Sequence, residues 1–443
     1  MQALILAAGK GDRLSNHFSP KPLIPIFGLP LLERIILTAK LAGIRDFKVV
    51  VGYKAEQIKK EMGNGEKLGV HIEYIFNPEW EKGNGVSVLK AKGSVQGKFL
   101  LLMSDHLFDQ SILKELLQTK LENDSCILCV DRDLRGTHFS IDDATKVKIG
   151  QGKVTSIGKE LTDYDAIDTG IFLCTPVLFD ALEKIVSRSK CSLSAVNRLL
   201  AERGRLNVLD VTGHFWVDVD DNNALRKAQD ILIHNLLKPT DGPISKVVNR
   251  RFSIRISAYL ARYNISPNSL TLISFGLAIL SALFFFLGGY GKMVIAGIVA
   301  QLSSIVDGCD GEIARLKFKS SSFGEWFDRI LDRYADGLII LGMTHAAWLS
   351  TTNGLVWLAG FFALIGTFMN SYTAIPYDQI LQTNLLPHRA MRLGRDVRLF
   401  VVFLGALFNQ LLFTLIILAV VTNFEILRRL IVLRHEYQFD ARH

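Results

Sequence analysis

Four aspartates set between long apolar runs decide the fold of the second half of this chain. Residues 307–315 read Asp-Gly-Cys-Asp-Gly-Glu-Ile-Ala-Arg, and Gly324, Asp328 and Asp332 follow. Asp307 and Asp310 are three residues apart and Asp328 and Asp332 are four apart, so on helices each pair shares one face. Ionised side chains at membrane depth are costly and persist where they line a cavity and act chemically. Two such faces brought together would form an all-oxygen cage for a hard cation such as Mg²⁺, not for Zn²⁺.

The same stretch resembles the signature of the CDP-alcohol phosphotransferases, D-x2-D-G-x2-A-R-x8-G-x3-D-x3-D. The matching positions are Asp307, Asp310, Gly311, Ala314, Arg315, Gly324, Asp328 and Asp332. The resemblance implies that Asp307, Asp310 and Asp328 hold metal, and that Asp332 is the general base and also touches metal. It places the nucleotide of a CDP-alcohol against Gly308, Gly311, Gly324 and Arg315. Asp336, outside the signature, is expected to be structural.

The composition divides the chain into a soluble half and a membrane half. The 443 residues suffice for two or three domains, and 49% of them are hydrophobic. Residues 1–230 have an ordinary mixture, whereas 268–430 hold most of the long apolar runs. We therefore expect a cytoplasmic domain over 1–230, a linker with an interfacial helix over 231–267, a membrane domain over 268–430 and a cytoplasmic tail over 431–443.

Charge and cysteine usage exclude some classes of function. The net charge of +8 arises largely beside the apolar segments, where topology and anionic lipid explain it better than nucleic acid does. No nucleic-acid motif is present, so no nucleic-acid partner is expected. Cys126 and Cys129 lie in an apolar, strand-like run, which favours buried thiols over a redox or metal site.

An apolar strand at the start of the chain leads into a glycine loop. Residues 3–8 read Ala-Leu-Ile-Leu-Ala-Ala, and Gly-Lys-Gly-Asp-Arg-Leu follows at 9–14, then Pro-Lys-Pro-Leu at 20–23. This apolar stretch is too short for a signal peptide, so the first half should stay in the cytoplasm. Glycines after a buried strand let backbone N–H groups approach phosphates, and Arg13 and Lys21 supply cations for a triphosphate. A strand near 47–52, a helix near 54–62 and a strand near 71–76 predict a doubly wound α/β sheet.

The glycine loop resembles the sugar-nucleotidyltransferase family, whose motif is L-A-A-G-x-G-x-R-L followed by P-K-P-L. The resemblance implies a Rossmann-like α/β nucleotidyltransferase domain and a nucleotide held at Ala8, Gly9 and Gly11. It also implies attack of a phosphomonoester on the α-phosphorus of a nucleoside triphosphate, releasing pyrophosphate. Such a reaction needs positioning and charge neutralisation by Mg²⁺, Arg13 and Lys21, and no covalent nucleophile.

Further candidate residues lie downstream in the first domain. Asp105 ends the apolar strand 100–105, where ligands gather in open α/β sheets, so we expect a metal ligand there rather than a helix cap. Asp218, two residues after Trp216, is similar to the family's second metal residue, with Asp220 as the alternative. The resemblance also assigns Gly83, Asn84 and Ser87 to a loop that reads the base. It further implies that Lys159 holds the acceptor's phosphate, the alternative being that Lys159 is an ordinary surface lysine.

The second half predicts a helical domain that crosses a membrane several times. Apolar stretches at 268–287, 291–313, 326–349, 355–375, 397–409 and 411–428 predict about six spans, the last two of which could also form one long helix. Before them, apolar residues at helical spacing among basic ones predict an amphipathic helix on the membrane surface, a soluble connector being the alternative.

The distribution of basic residues predicts the orientation in the membrane. The expected outer turns contain one lysine, whereas the expected inner segments are rich in arginine. The four carboxylates and the first domain then both face the cytoplasm. One of the inner segments carries a cluster of four arginines, Arg389, Arg392, Arg395 and Arg398. The cluster either reflects membrane orientation alone or binds an acceptor that carries a phosphate.

The two resemblances together suggest that the first domain makes what the second consumes. The chain resembles the bifunctional family that makes di-myo-inositol phosphate phosphate, which implies CTP and inositol-1-phosphate as substrates and CDP-inositol as intermediate. The resemblance further implies Mg²⁺, or Mn²⁺ in its place, a lipid bilayer and a homodimer. The alternative is a phospholipid synthase that uses a CDP-lipid, with a regulatory or differently specific first domain.

Overall fold

The computed structural model of the chain forms two compact units, Met1–Ile231 and Leu232–His443. It describes residues 1–11, 14, 20–122, 124–135, 143–186, 192–237, 241–383 and 393–440. Each unit is built around its own buried apolar core.

The first unit alternates strands and helices. Its strands are β1 Gln2–Ala7, β2 Pro25–Ile26, β3 Leu29–Pro30, β4 Asp46–Val51, β5 His71–Phe76, β6 Phe99–Met103, β7 His106–Phe108, β8 Cys126–Asp131, β9 Lys146–Gly150, β10 Lys153–Gly158, β11 Ala166–Cys174, β12 Leu206–Asp210 and β13 Trp216–Asp218. Its helices are α1 Leu31–Leu41, α2 Ala55–Met62, α3 Asn84–Lys90, α4 Gln110–Gln118, α5 Val177–Val186, α6 Leu193–Glu202 and α7 Asn222–His234. The early strand–helix–strand alternation predicted from the sequence is confirmed.

Nine of these strands form one mixed sheet in the order β5-β4-β1-β6-β11-β8-β12-β10-β9. β1 runs parallel to both β4 and β6, whereas β11 is antiparallel to its neighbours β6 and β8. The register pairs Leu6 with Met103, so the loops after β1 and β6 leave the sheet side by side. This adjacency brings Gly9 and Asp105 to one edge, where ligands bind in open α/β sheets.

A buried apolar layer holds the sheet and its helices together. Leu4, Leu101 and Leu128 from three strands are fully buried in one cluster. Full burial of such a side chain contributes about 1.5–3 kcal/mol. Cys126 and Cys129 are buried free cysteines on β8, which confirms the expectation from their apolar surroundings.

The second unit is helical in the residues described. Its helices are α8 Arg250–Leu260, which continues a short π-helical turn at Ser245–Asn249, and then α9 Pro267–Phe286, α10 Tyr290–Leu316, α11 Ser322–Thr351, α12 Leu355–Thr383, α13 Arg395–Leu407 and α14 Leu411–Asp440. The two short spans expected near the C-terminus are separate helices, because the chain turns between them and Asn409 adopts a left-handed conformation with φ of 56°.

Four of these helices are long and apolar enough to cross a membrane: Pro267–Phe286, Tyr290–Leu316, Leu355–Ala374 and Leu411–Arg434. The expected all-α polytopic domain is thus confirmed. The helix α11 carries charged residues along its first half, and α13 has only 13 residues, so the count of about six spans stays a prediction. α9 packs against both α10 and α11, and α13 packs against α10, which brings the acidic segments together.

The helix α8 turns its aromatic side outwards. Phe252, Ile256 and Tyr259 are exposed, whereas Ser253 and Ser257 on the opposite side are buried where α8 packs against α10. An exposed apolar stripe among arginines suits the interfacial layer of a membrane. Its placement on the membrane surface stays a prediction.

Candidate active sites

A cavity of about 430 Å³ lies beside the glycine loop of the first unit. It is lined by seven of the residues predicted to bind nucleotide or metal: Ala8, Gly9, Gly11, Lys21, Asn84, Ser87 and Asp105. Arg13 lies outside the described residues. The structure thus brings Ala8 and Asp105, which are 97 positions apart in the sequence, to the same cavity.

The glycine at position 11 is required by the approach of Lys21. Gly11 has a φ of +64°, and a Cβ there would lie 2.7 Å from the Lys21 Cβ. Only glycine fits both the left-handed backbone and this contact. The loop can therefore fold back over the lysine that follows it.

Lys21 is a buried ammonium surrounded by carboxylates. Its Nζ donates to Asp105 Oδ2 at 2.6 Å and to Asp220 Oδ1 at 2.5 Å. Burial disfavours the charged form, but Asp105, Asp218 and Asp220 outweigh burial and raise the pKa of Lys21 above its ordinary value. The lysine is therefore a permanent cation at the nucleotide cavity.

Asp105, His106 and Asp218 form a group whose ligand atoms lie within 4.8 Å of one another. The Asp218 Oδ1 atom is buried and has no hydrogen-bond partner among the described residues, which fits a position for a cation. Of the two aspartates left open by the sequence, Asp218 belongs to this group and Asp220 does not. The site therefore favours Asp218 as the metal ligand.

His106 was missed from the sequence and lies at the centre of this group. Its Nδ1 lies 2.7 Å from the carbonyl oxygen of Thr169. Its Nε2 lies 3.8 Å from Asp105 Oδ1 and 3.6 Å from Asp218 Oδ2. Burial disfavours the imidazolium, but Asp218 and Asp105 raise the pKa of His106 to about 10. A cation among the same carboxylates would compete with that proton for Nε2.

A second cavity of about 460 Å³ adjoins the same acidic group. Lys159, Asp168 and Asn197 line it together with His106 and Asp218. Lys159 has no ion-pair partner in the described part of the chain, which suits the predicted phosphate contact. Burial raises the pKa of Asp168 to about 6 although the Gly170 N–H donates to the carboxylate. The polar lining is suited to a hydroxylated, phosphorylated acceptor.

The segment predicted as a base-reading loop is a helix. Asn84–Lys90 forms α3, and Gly83 precedes it with a φ of 110°. Asn84 Oδ1 accepts from Leu193 N at 2.7 Å, and Ser87 Oγ accepts from Asn77 Nδ2 at 2.9 Å. The loop prediction was wrong because these hydrogen bonds and the packing of α3 stabilise a glycine-containing turn as helix.

The second unit brings Asp307, Asp310 and Asp328 together. One carboxylate oxygen from each lies within 4.8 Å of the others. Thr271 Oγ1 donates to Asp310 Oδ2 at 2.5 Å, and Ser274 Oγ donates to Asp307 Oδ1 at 3.3 Å. Two hydroxyls of α9 thus orient the two carboxylates of α10, and neither hydroxyl was predicted.

An unpartnered oxygen shows that this group fits a metal ion. Asp328 Oδ1 is buried and makes no hydrogen bond within the described residues. Three clustered carboxylates with one such oxygen are the donor set that hard divalent cations bind.

Arg395 links the remaining carboxylates of this site. Its Nη1 lies 2.9 Å from Asp307 Oδ2 and 2.7 Å from Asp332 Oδ1, and its Nε lies 3.0 Å from Asp336 Oδ1. Arg398 is buried beside Asp336 at 3.3 Å and donates to the Thr367 carbonyl, so it positions Asp336 from behind. The other two arginines of the predicted cluster, Arg389 and Arg392, lie outside the described residues.

A buried ion-pair network lies behind the predicted nucleotide face of α10. Arg250 pairs with Asp241 at 2.7 Å and with the fully buried Glu312. Gly308 faces α8, and a Cβ there would lie in ordinary contact with the Arg250 guanidinium at 3.5 Å. Sequence patterns gave no sign of this network, because Arg250 is one of several basic residues in the predicted amphipathic helix.

Three other predicted residues, Gly311, Arg315 and Gly324, also have close neighbours in the structure. Arg315 donates to the Leu236 carbonyl at 3.2 Å. Gly324 lies in the first turn of α11, where its N–H donates to the Ser321 hydroxyl, and a Cβ there would lie 3.3 Å from Asn268 Oδ1. A Cβ at Gly311 would lie 3.2 Å from the Arg315 guanidinium. Their roles at a nucleotide stay predictions.

The fold and the two acidic groups define a nucleotidyltransferase joined to a CDP-alcohol phosphotransferase. Residues 3–212 match the family model of the MobA-like NTP transferase domain. Residues 264–427 match that of the CDP-alcohol phosphatidyltransferases. The four apolar helices together with this second family indicate membrane association.

Similarity to known proteins extends over nearly the whole chain. The bifunctional IPC transferase and DIPP synthase of Rubrobacter xylanophilus is 36% identical over 98% of this chain and 96% of its own length. The protein of the same name from Thermococcus kodakarensis is 35% identical over 96% of this chain and 95% of its own length. A solved structure of the inositol-1-phosphate CTP transferase from T. maritima is 26% identical, covering 52% of this chain and 94% of that chain, with a TM-score of 0.47. The chain belongs to the family of bifunctional IPC transferases and DIPP synthases.

Proposed function

We propose that the chain makes CDP-inositol from CTP and inositol-1-phosphate, and then transfers inositol phosphate from CDP-inositol to a second inositol-1-phosphate. The observation that carries the proposal is that one chain holds two separate acidic groups suited to a metal ion, one in each transferase domain. The names of its relatives point to the same pair of activities. The products are pyrophosphate from the first step and CMP from the second.

In the first step, an oxygen of the inositol-1-phosphate phosphate attacks the α-phosphorus of CTP and pyrophosphate leaves. The two cavities of the first unit share Asn84, Met103 and Asp220 in their walls, which suits a nucleotide on one side and an acceptor on the other. Lys21 would balance the charge of the triphosphate, and Lys159 would hold the acceptor's phosphate. Asp105 and Asp218 would hold Mg²⁺, or Mn²⁺ in its place, which neutralises charge on the phosphates.

In the second step, a hydroxyl of the acceptor attacks the phosphorus that bears inositol, and the bond to CMP breaks. Asp332 takes the hydroxyl proton as general base. Arg395 forms an ion pair with that carboxylate, with Nη1 lying 2.7 Å from Asp332 Oδ1, which would help to position the base before substrate binds. Asp307, Asp310 and Asp328 would hold the metal that neutralises the diphosphate of the donor.

The second unit would be embedded in a membrane. The apolar helices would lie in a lipid bilayer with both active sites on the cytoplasmic side, as the arginine-poor turn at 408–410 and the basic residues before α13 suggest. We further expect a homodimer and no nucleic-acid partner. Arg395, which lies beside Asp307 and Asp332, would contribute to the cationic end of the acceptor site, whereas the buried Arg398 would act through Asp336.

Two single substitutions test whether the sites are independent. Asp105→Asn should abolish pyrophosphate release from CTP and leave CMP release from supplied CDP-inositol intact. Asp332→Asn should do the reverse, with a loss of about 10²–10⁴-fold in CMP release. Loss of both activities in either variant, in protein that unfolds at the wild-type temperature, would contradict two independent sites.

A further inference from the structure

We propose that His106 is a direct imidazole ligand of the ion in the first unit, so that the two active sites of this chain prefer different metals. The inference rests on the proposed function in one respect, namely that a divalent cation binds between Asp105 and Asp218. It adds a nitrogen ligand to that site. It also adds a consequence, because the cytidylyl-transfer and phosphotransfer steps should respond differently to Mg²⁺ and Mn²⁺.

The backbone places His106 opposite Asp218. β7 and β13 pair antiparallel, and the register sets His106 against Asp218 directly. Side chains of directly opposed residues leave the same face of a β-ladder with their Cβ atoms about 4.5–5.5 Å apart. The Val219 N–H donates to the Asp105 carbonyl at 3.0 Å, which holds Asp105 at the end of the same ladder. The β7–β13 ladder and this hydrogen bond to the β6–β7 turn therefore bring the three side chains together.

The imidazole has its tautomer fixed for ligation. Nδ1 lies 2.7 Å from the Thr169 carbonyl oxygen, which can only accept, so Nδ1 carries the hydrogen. The lone pair of neutral imidazole then lies on Nε2, which faces Asp105 Oδ1 and Asp218 Oδ2. A metal-bound histidine typically donates its other ring N–H to a carbonyl or carboxylate in this manner.

The ring also has little room to turn away. A Cβ at Gly170 would lie 2.4 Å from Nδ1 and 2.6 Å from Cε1, so the glycine is in close contact with the imidazole edge. The Trp216 ring also lies close to the imidazole, with ring centroids 6.3 Å apart. Burial of this kind positions a ligand before the ion arrives.

The two sites then differ in the chemistry of their donors. Carboxylates alone surround the group at Asp307, Asp310 and Asp328, which suits Mg²⁺. An imidazole nitrogen favours later divalent metals over Mg²⁺, and Mn²⁺ accepts both oxygen and nitrogen ligands. Mn²⁺ should therefore replace Mg²⁺ more effectively in the first unit than in the second.

Pulsed electron paramagnetic resonance of bound Mn²⁺ tests the ligand directly and without substrate. The full chain would carry Asp310→Asn to weaken the second site, and its histidines would be labelled with nitrogen-15. We expect a directly coupled nitrogen-15 signal that is lost in His106→Gln and retained in His214→Gln. His214 is a matched control, because it contacts Ser111 and Glu115 outside the acidic group.

Absence of the nitrogen coupling in otherwise wild-type protein with Mn²⁺ bound would overturn the proposal, even if His106→Gln fails to fold. Persistence of the coupling in His106→Gln would overturn it as well. Because no substrate is present, an error in the assignment of inositol-1-phosphate leaves this experiment unaffected. Failure of the proposed function would appear instead as absence of pyrophosphate release.

The metal preference of each step gives a second readout. The ratio of kcat/KM with Mn²⁺ to kcat/KM with Mg²⁺ is measured for pyrophosphate release and for CMP release in the same preparation. We expect the ratio to be about tenfold higher for pyrophosphate release, and His106→Gln to remove most of that difference by substituting an amide oxygen. Equal ratios for the two steps in wild-type protein would contradict the inference.

Discussion

Replacement of Gly170 by alanine should disable the first active site through His106. The added Cβ would lie 2.4 Å from the imidazole Nδ1, whereas ordinary contacts begin at 3.4 Å, so the ring would have to retreat by about 1 Å. A displacement of about 1 Å at a catalytic group can cost about 10²-fold in rate. The retreat would also break the hydrogen bond to the Thr169 carbonyl. We expect kcat/KM for pyrophosphate release to fall about 100-fold, and Mn²⁺ affinity at this site to fall with it.

Gly152→Ala is the matched control for backbone strain. Gly152 has a φ of +75°, close to the +72° of Gly170, but a Cβ there meets nothing within 4 Å. Both substitutions carry the left-handed strain of about 1–2 kcal/mol, and only Gly170→Ala displaces the histidine. The assay follows pyrophosphate release from CTP, with CMP release from supplied CDP-inositol as the internal measure of an intact second unit. Equal losses of pyrophosphate release in the two variants would refute the role assigned to His106.

Three further predictions concern the charged groups. Lys21→Met should lower kcat/KM for pyrophosphate release by about 10²–10³-fold and leave CMP release unchanged, because the buried ammonium between Asp105 and Asp220 is lost. Arg395→Met should destabilise the second unit by about 3–5 kcal/mol, since it leaves paired carboxylates without their cation. The loss of thermal stability should be larger in chelator than in Mg²⁺, because a bound Mg²⁺ would partly replace the missing positive charge. An equal loss in both would contradict a metal at the acidic group. Burial raises the pKa of Asp168 to about 6, so its carboxylate is lost as pH falls through about 6 and KM for inositol-1-phosphate should rise. The substrate's own phosphate titrates near pH 6, so the test is the difference between wild type and Asp168→Asn; identical pH profiles would contradict a role for this carboxylate.

Local patterns in the sequence predicted much of the fold. An apolar strand before a glycine loop, and aspartates spaced by three and four residues, are read within one element and need no knowledge of its neighbours. They correctly predicted β1, the following alternation and the helices that bear Asp307, Asp310 and Asp328. The Asp218 position relied on a resemblance, and its choice over Asp220 as metal ligand stays a prediction, supported by the place of Asp218 beside Asp105 and His106.

The parts that escaped prediction depend on contacts between distant segments. His106 becomes part of the acidic group through the β7–β13 ladder, which pairs residues 112 positions apart. Arg395 contacts Asp307 and Asp332 because α13 packs against α10. From the sequence alone, a run of arginines before an apolar span is equally well explained by the orientation of the chain in the membrane. The helix α3 formed where a loop was expected, because its hydrogen bonds to Leu193 and Asn77 come from outside the segment.

The central claim is that one chain catalyses two successive transfers at two separate sites. The most direct test incubates the purified full-length protein with CTP, inositol-1-phosphate and Mg²⁺, and follows the products by phosphorus NMR and mass spectrometry. We predict pyrophosphate, CDP-inositol, CMP and a di-inositol phosphate phosphate in the wild type, and only pyrophosphate and CDP-inositol in Asp332→Asn. No turnover of CTP with inositol-1-phosphate, in protein that still binds Mn²⁺ at both sites, would contradict the account.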